Sequence, residues 1–188
     1  SNLIKENVFE ISKNVIMTSS EHISGTDRIC EAAAKLDLDE DTLILNLQGD
    51  EPFIPSDLVI KVINEYHKNQ CDVITVSTLI KSDYELTNQN CVLVETDMNG
   101  YATNFVRTGN IEDPKRHIGI YGYSFKTLNE LVKLKPTKSE LSLKLEQLRF
   151  LENNYSIYVS EYDEQIPNGI DTQEDVENAL NFLKNENL

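Results

Sequence analysis

A carboxylate one residue beyond a glycine, at the abrupt end of an apolar run, is the arrangement in this sequence best suited to chemistry. The segment is Leu45-Asn46-Leu47-Gln48-Gly49-Asp50-Glu51-Pro52-Phe53. In open α/β sheets, ligands collect outside the carboxyl ends of the strands, so Asp50 stands where a ligand would sit. The glycine lets the backbone come close, and one carboxylate oxygen can hold Mg²⁺ while nucleotide phosphates supply other oxygens. In isolation the same letters also describe an acidic turn that ends a strand, and Glu51 reads as a solvated neighbour or a helix-start charge.

Ser24-Gly25-Thr26-Asp27-Arg28 is a second constellation. Two hydroxyls, a glycine and a guanidinium at a helix start suit an anion or a nucleotide. A plain N-cap with Asp27 in the first turn explains all of it except Arg28, because a cation is disfavoured at that helix end. Asn168-Gly169-Ile170-Asp171-Thr172 is a third, another glycine turn that delivers a carboxylate just before a helix. Alone, Asp171 reads as a cap; paired in space with Asp50, it would complete a Mg²⁺ site built from distant parts of the chain. In His117-Ile118-Gly119-Ile120-Tyr121-Gly122-Tyr123 the odd positions are largely polar or aromatic, leaving one strand face for a ligand. Glu146 and Gln147 interrupt a pattern set by Leu141, Leu145 and Leu148, and surface solvation is the ordinary explanation for such residues. His22 and His67 have no companions at metal-ligand spacing.

These residues need elements to position them. Val15-Ile16-Met17 suits a short buried strand. Ile29, Ala32, Ala33 and Leu36 share one face of a helix that begins near Ser24. The run Thr42 to Leu47 reads as a strand buried on both sides. Pro55 suits the first turn of a helix whose apolar face is Leu58, Val59, Val62 and Ile63, and Val73 to Leu79 is the next strand. That alternation is the rhythm of a doubly wound sheet. The spacing therefore predicts an α/β fold, a Rossmann-like, mostly parallel sheet flanked by helices. Cys91 to Glu95 and Tyr101 to Arg107 flank Asn99-Gly100, a strong hairpin signal, so 91–107 is expected to form a small antiparallel insertion. His117 to Ser124 is a further strand. Helices are expected around Lys126–Leu134 and Ser139–Asn153, a late strand at Ile157–Ser160, and a terminal helix over Thr172–Leu188 capped by its threonine.

Bulk properties narrow the function classes. The 188 residues fit one domain, and their 39% hydrophobic content supplies a core. The formal charge of -15 argues against a nucleic-acid binder, which needs dense Lys and Arg. Total charge does not exclude a small anionic substrate, because exposed charges are screened beyond about 8 Å at physiological salt. An acidic protein that handles a triphosphate should need a divalent cation. No apolar run approaches the roughly 20 residues of a membrane span, and the start has no secretory-signal pattern. Cys30, Cys71 and Cys91, odd in number and at no zinc-site spacing, are expected to be reduced cytosolic thiols.

Taken together and in order, five segments resemble the 3-deoxy-manno-octulosonate cytidylyltransferase family, also called CMP-Kdo synthetases. They are Met17-Thr18-Ser19 with Ser24-Gly25-Thr26-Asp27-Arg28; Asn46-Leu47-Gln48-Gly49-Asp50-Glu51-Pro52; Arg116-His117-Ile118-Gly119-Ile120-Tyr121; Leu145-Glu146-Gln147-Leu148-Arg149; and Gly169-Ile170-Asp171-Thr172. The resemblance implies a nucleotide-diphospho-sugar transferase fold and a cytoplasmic homodimer. The implied reaction transfers the cytidylyl group of CTP to the acid sugar Kdo, giving CMP-Kdo and pyrophosphate for lipopolysaccharide. It further implies that Asp50 and Asp171 hold Mg²⁺ and that Ser24, Gly25, Arg28 and Pro52 contact the nucleotide. Gln48, Arg107, His117, Tyr121, Glu146 and Gln147 would line the sugar-acid pocket.

Two departures stand beside the likeness. The family opens with a strand and a glycine-, arginine- and lysine-containing loop that grips the triphosphate, and nothing before Val15 resembles it. Thr108–Lys115 is also shorter than the family's corresponding loop. Both are expected if the sequence joins ordered segments of a longer protein forming a single nucleotidyltransferase domain, with 91–107 as its dimerisation unit. The alternatives are a truncated, non-catalytic sugar-acid binder or partner subunit, and an enzyme for 8-amino-Kdo or a sialic-acid-like sugar.

Overall fold

The computed structural model describes residues 2–185 apart from Ile23, Lys81, Gly109, Asn110, Gln165, Asn168 and Asp171. Asp171, one half of the expected metal pair, therefore lies outside the described residues. The chain begins with helix α1 (Asn2–Ile11) and continues through α2 (Gly25–Lys35), β1 (Leu43–Leu47), α3 (Ser56–Lys68) and β2 (Val73–Thr78). After α4 (Asp83–Thr87) come β3 (Leu93–Thr96), β4 (Ala102–Val106) and β5 (Lys115–Ser124). Helices α5 (Phe125–Leu131), α6 (Lys138–Leu143) and α7 (Gln147–Glu152) lead to β6 (Ile157–Tyr162) and α8 (Gln173–Asn185).

The six strands form one mixed sheet in the order β4-β3-β5-β2-β6, with β1 also on β5. β1, β2 and β3 each run antiparallel to β5, and β6 runs parallel to β2. Four of the six strands thus share one direction, as a mostly parallel α/β sheet requires. The ladders differ from that expectation: among the described residues only β2–β6 is bonded in parallel, because β5 returns from the hairpin to lie between β1 and β2. β3 and β4 make the predicted antiparallel hairpin. Its turn is fixed by Asp97 Oδ1, which accepts the N–H groups of Asn99 and Tyr101 at 2.9 Å each, and by Gly100 at φ 83°, a conformation that favours glycine.

Two cores cover the two faces. Val73, Val159, Ile157 and Tyr123 pack with α5 and α7 through Leu128, Leu131 and Phe150. Ile74, Val76, Ile118 and Ile120 pack with α3 through Leu58 and Val62. Each such fully buried side chain contributes about 1.5–3 kcal/mol relative to exposure. β5 separates its duties by alternation: Ile118 and Ile120 feed the second core, and the other face presents His117, Gly119 and Tyr121. Gly122 is required by packing, since a Cβ there would sit 2.7 Å from Ile74 Cγ2 and 2.8 Å from Leu45 Cδ2.

Three expectations are corrected. Val15-Ile16-Met17 is not a strand, because its neighbourhood is laid along α2 instead of in a ladder. Lys35 Nζ donates to the Met17 carbonyl at 2.8 Å, and Arg28 donates to Thr18 Oγ1 at 2.9 Å and to the Ser19 carbonyl at 3.1 Å. β1 is half-buried instead of buried throughout, because it stands at an edge of the sheet with β5 as its only strand partner among the described residues; the fully buried strand is β2. The single helix expected over Ser139–Asn153 is two short ones, broken where Lys144 adopts the left-handed conformation at φ 55°, ψ 48°.

Candidate active site

A cavity of about 490 Å³ opens beyond the end of β1, along the free face of β5 and against the α6–α7 break. Gln48, Arg107, His117, Tyr121, Glu146 and Gln147 all line it, and so does Asp50. Residues separated by a hundred positions in sequence are thus brought to one hollow.

His117 is positioned from behind. Its Nε2 lies 2.8 Å from Thr75 Oγ1, and that hydroxyl donates to the Ile120 carbonyl at 2.7 Å. A threonine hydroxyl has one proton to give, so Nε2 must carry the imidazole hydrogen and Nδ1 is left as an acceptor. Burial disfavours the cation and pushes the pKa down to about 3. His117 is therefore a neutral hydrogen-bonding group at physiological pH, ill suited to storing a proton. Its ring meets Tyr121 with centroids 5.5 Å apart. The Tyr121 hydroxyl is held protonated well above its usual range, chiefly by burial and then by the Glu146 charge. Gln48 reaches over the same strand: a Cβ on Gly119 would lie 3.4 Å from Gln48 Oε1, so the glycine leaves room for the amide.

The helix break explains how Glu146 and Gln147 face one cavity. Thr137 and Glu140 start α6 with a reciprocal capping box. Lys144 ends it, and the chain turns so that Leu145 and Leu148 enter the core while the two polar residues between them line the cavity. Glu146 Oε2 accepts the Thr26 hydroxyl at 2.6 Å, and Oε1 pairs with Arg149 Nη2. Gln147 is 4% exposed, and no hydrogen bond ties its amide to a partner among the described residues.

Arg107 is engaged by backbone. Its Nε, Nη1 and Nη2 donate to the carbonyls of Leu143 (3.0 Å), Gln89 (3.0 Å) and Lys144 (3.3 Å). A guanidinium has five N–H groups, so two remain. The side chain clamps the end of α6 to the loop before β3.

Asp50 is exposed at the cavity's other wall. Its carbonyl accepts the Ile170 N–H at 2.7 Å, and a Cβ on Gly169 would come within 3.2 Å of the same oxygen. The Gly169-Ile170 stretch is thus seated against the Gly49-Asp50 turn. Thr172 and Asp175 then cap α8 reciprocally: Thr172 N–H and Oγ1 each donate to Asp175 Oδ2 at 2.8 Å. Among the described residues, no three His, Cys, Asp or Glu side chains form a metal cluster. Magnesium does not require one, because it commonly takes one or two carboxylates and keeps waters and substrate phosphates as its other ligands.

The residues expected to contact nucleotide sit apart from the cavity lining. Ser24 caps α2, accepting the Asp27 N–H at 3.1 Å and donating to Asp27 Oδ2 at 2.8 Å. Gly25 has open space around it, and Pro52 is exposed in the turn after Asp50. Arg28 holds the Thr18 hydroxyl and the Ser19 carbonyl, as described above. The two groups are joined by Thr26, whose bond to Glu146 ties the start of α2 to the cavity wall.

The cavity also has members that sequence reasoning did not assign. Arg116 is buried, donating to the Ile166 carbonyl at 2.6 Å and lying 3.5 Å from Glu85. A cation inside a strand of so acidic a chain was a usable signal. Asn88 and Asn90, from a loop without periodicity, gave none, and Lys144 was hidden in an apparently continuous helix.

A family model described as cytidylyltransferase matches residues 1–164. The chain is 36% identical, over 95% of its length and 76% of the relative's, to the 3-deoxy-manno-octulosonate cytidylyltransferase of Tolumonas auensis. It is 38% identical, over 90% and 71%, to the protein of that name from Polynucleobacter asymbioticus. A solved CMP:2-keto-3-deoxy-manno-octonic acid synthetase complexed with CTP superposes with a TM-score of 0.88 at 27% identity, covering 99% of this chain and 78% of that one. With relatives this similar over so much of both chains, the protein belongs to the 3-deoxy-manno-octulosonate cytidylyltransferase family.

Proposed function

We propose that this chain transfers the cytidylyl group of CTP to 3-deoxy-manno-octulosonate, releasing pyrophosphate, and that the product serves lipopolysaccharide assembly. The observation that carries the reading is the meeting of Gln48, His117, Tyr121, Glu146 and Gln147 beside Asp50 in one cavity. The sugar's anomeric hydroxyl attacks the α-phosphorus; an O–P bond forms as the bond to pyrophosphate breaks, and the hydroxyl proton is released to solvent. Such transfer depends on positioning and charge neutralisation and needs no covalent enzyme intermediate.

The chain's own groups match a polyhydroxylated acid. His117 Nδ1 and the Glu146 carboxylate accept from hydroxyls, Tyr121 donates, and the amides of Gln48 and Gln147 do both. An unmatched buried polar group costs about 1–3 kcal/mol, which is how these groups would reject a poorer sugar. Ser24, Gly25, Arg28 and Pro52, around the start of α2 and the turn after Asp50, would hold the nucleotide. Asp50, together with Asp171, would hold Mg²⁺, which supplies neutralisation of the phosphate charge when bound. Asp50 suits this because its carboxylate is exposed at the cavity, while its carbonyl does the structural work of holding Ile170.

The same reading makes 1–188 one domain and 91–107 a homodimer contact, an assignment supported by the bare Met98 at the hairpin tip. A cytoplasmic site of action fits too: among the described residues no helix is long and apolar enough to cross a membrane, and Cys30, Cys71 and Cys91 are free thiols. The test is pyrophosphate release with CTP and Kdo. Asp50→Ala and Asp171→Ala should each cut turnover by about a hundredfold or more while leaving the circular dichroism and melting profile near wild type. A near-normal rate in either variant removes that residue from the site.

A further inference from the structure

Glu146 is held at both of its oxygens. Oε2 accepts the Thr26 hydroxyl at 2.6 Å, and Oε1 pairs with Nη2 of Arg149, three residues further along the chain. Arg149 is itself buried and fixed from behind: Nη1 donates to the Leu134 carbonyl at 3.2 Å, and Nε lies 3.5 Å from Glu140 Oε2. That Glu140 oxygen already accepts the Thr137 N–H of the capping box, and Arg149 Nε has no hydrogen-bond partner among the described residues. The guanidinium thus meets Glu146 with one donor of an edge that has two.

An arginine edge and a carboxylate frequently pair through two parallel bonds. Nε and Nη2 make such an edge, so a turn of the Glu146 carboxylate would close it and draw Oε2 away from the cavity. Because Glu140 already lies near Nε, closing the edge returns less than the Thr26 bond gives, and the carboxylate stays out while Thr26 holds it. Local structure does not account for that hydroxyl. A threonine in the first turn of a helix ordinarily spends its oxygen on nearby backbone, but Ser24 already caps α2 by accepting the Asp27 N–H. Thr26, 4% exposed, instead reaches a residue 120 positions away. A carboxylate has about four lone-pair sites, of which Thr26 and Arg149 take about two, leaving the others for hydroxyl groups in the cavity that Glu146 lines.

We propose that Thr26 is a positioning residue for the sugar: by keeping Oε2 from Arg149 it holds the Glu146 carboxylate toward the cavity, where it accepts hydroxyls of the acid remote from the reacting carbon; this rests on the cytidylyl-transfer reading above. The acid's own carboxylate and its attacking hydroxyl are attached to one carbon, so both belong at the Asp50 end. An anion on the opposite wall then meets the neutral part of the sugar. The experiment is steady-state pyrophosphate release with the acid and CTP varied separately, on variants shown by urea unfolding to be folded at the assay temperature. Thr26→Val and Thr26→Ala should each raise KM for the acid about threefold to tenfold, the weight of one ordinary hydrogen bond. Both kcat and KM for CTP should change less than about twofold, as expected when binding is lost equally before and in the transition state. Thr26→Ser keeps the hydroxyl and should restore the wild-type KM. In a Glu146→Ala background, Thr26→Val should add less than about twofold, since its effect passes through the carboxylate; if that background does not fold, the valine, alanine and serine variants decide alone. An unchanged KM for the acid in the folded valine and alanine variants, a rise confined to CTP, a serine variant as impaired as valine, or an undiminished valine effect without Glu146 would overturn the assignment. Failure of the wild-type protein to release pyrophosphate would instead sink the parent reading, so the two failures are distinguishable.

Discussion

Replacing His117 with glutamine tests whether the imidazole is held neutral by burial. Glutamine can donate to Thr75 Oγ1 as Nε2–H does, but it does not titrate. In wild type the folded-state pKa is about 3, against 6.5 for the free side chain. Between these values the unfolded chain binds the extra proton and the folded one does not, so stability falls as pH drops below about 6.5 and the loss is complete near pH 3. At pH 7 the group is neutral in both states and nearly silent. At pH 5 the solution is about 1.5 units below the free side chain's pKa, which at 1.36 kcal/mol per unit makes the penalty about 2 kcal/mol. Carboxylates titrate over the same range, so the useful quantity is a double difference: the wild-type loss from pH 7 to pH 5 minus the His117→Gln loss. Urea unfolding at both pH values should give about 2 kcal/mol, equivalent to roughly 4–8 °C in Tm for a domain of this size. Equal losses in the two proteins would refute a neutral, desolvated His117.

Two further outcomes follow from packing and from a single hydrogen bond. Gly122→Ala places a methyl within 2.8 Å of both Ile74 and Leu45 and should cost about 1–3 kcal/mol in urea unfolding; an unchanged Tm would show that the two strands can part without penalty. Thr26→Val removes the hydroxyl that donates to Glu146 at 2.6 Å and should cost about 1.5–3 kcal/mol, with a loss below about 0.5 kcal/mol showing that the carboxylate is satisfied otherwise.

The strands and helices with a clean period were legible. Val73 to Leu79, Leu58 with Val62, and the Asn99-Gly100 turn each state their structure locally. Thr172 as the cap of the last helix was readable for the same reason, and Asp175 answers it. The failures share a cause: they depend on who the partner is. Val15-Ile16-Met17 has strand letters, but Lys35 and Arg28 draw its neighbourhood onto a helix. Leu141, Leu145 and Leu148 keep helical spacing across Lys144, so the break left no mark in the apolar pattern. The cavity group Gln48, Arg107, His117, Tyr121, Glu146 and Gln147 was found through the family resemblance, because plain spacing offers ordinary explanations for each. Thr75, which sets the His117 tautomer, was invisible within its strand, since only the fold brings it to residue 117.

β5 is bonded along one edge to β2 and along the other to β3 and β1. Three strands must part from it before most of its paired amides reach solvent, so His117 and Tyr121 stand on a part of the molecule that opens late. On the function proposed above, the sugar meets a surface already built, and adaptation to new sugars is left to the ends of other elements. Natural variation in selectivity should accumulate at the Gln89 loop and the Lys144 elbow and leave the strand between them untouched.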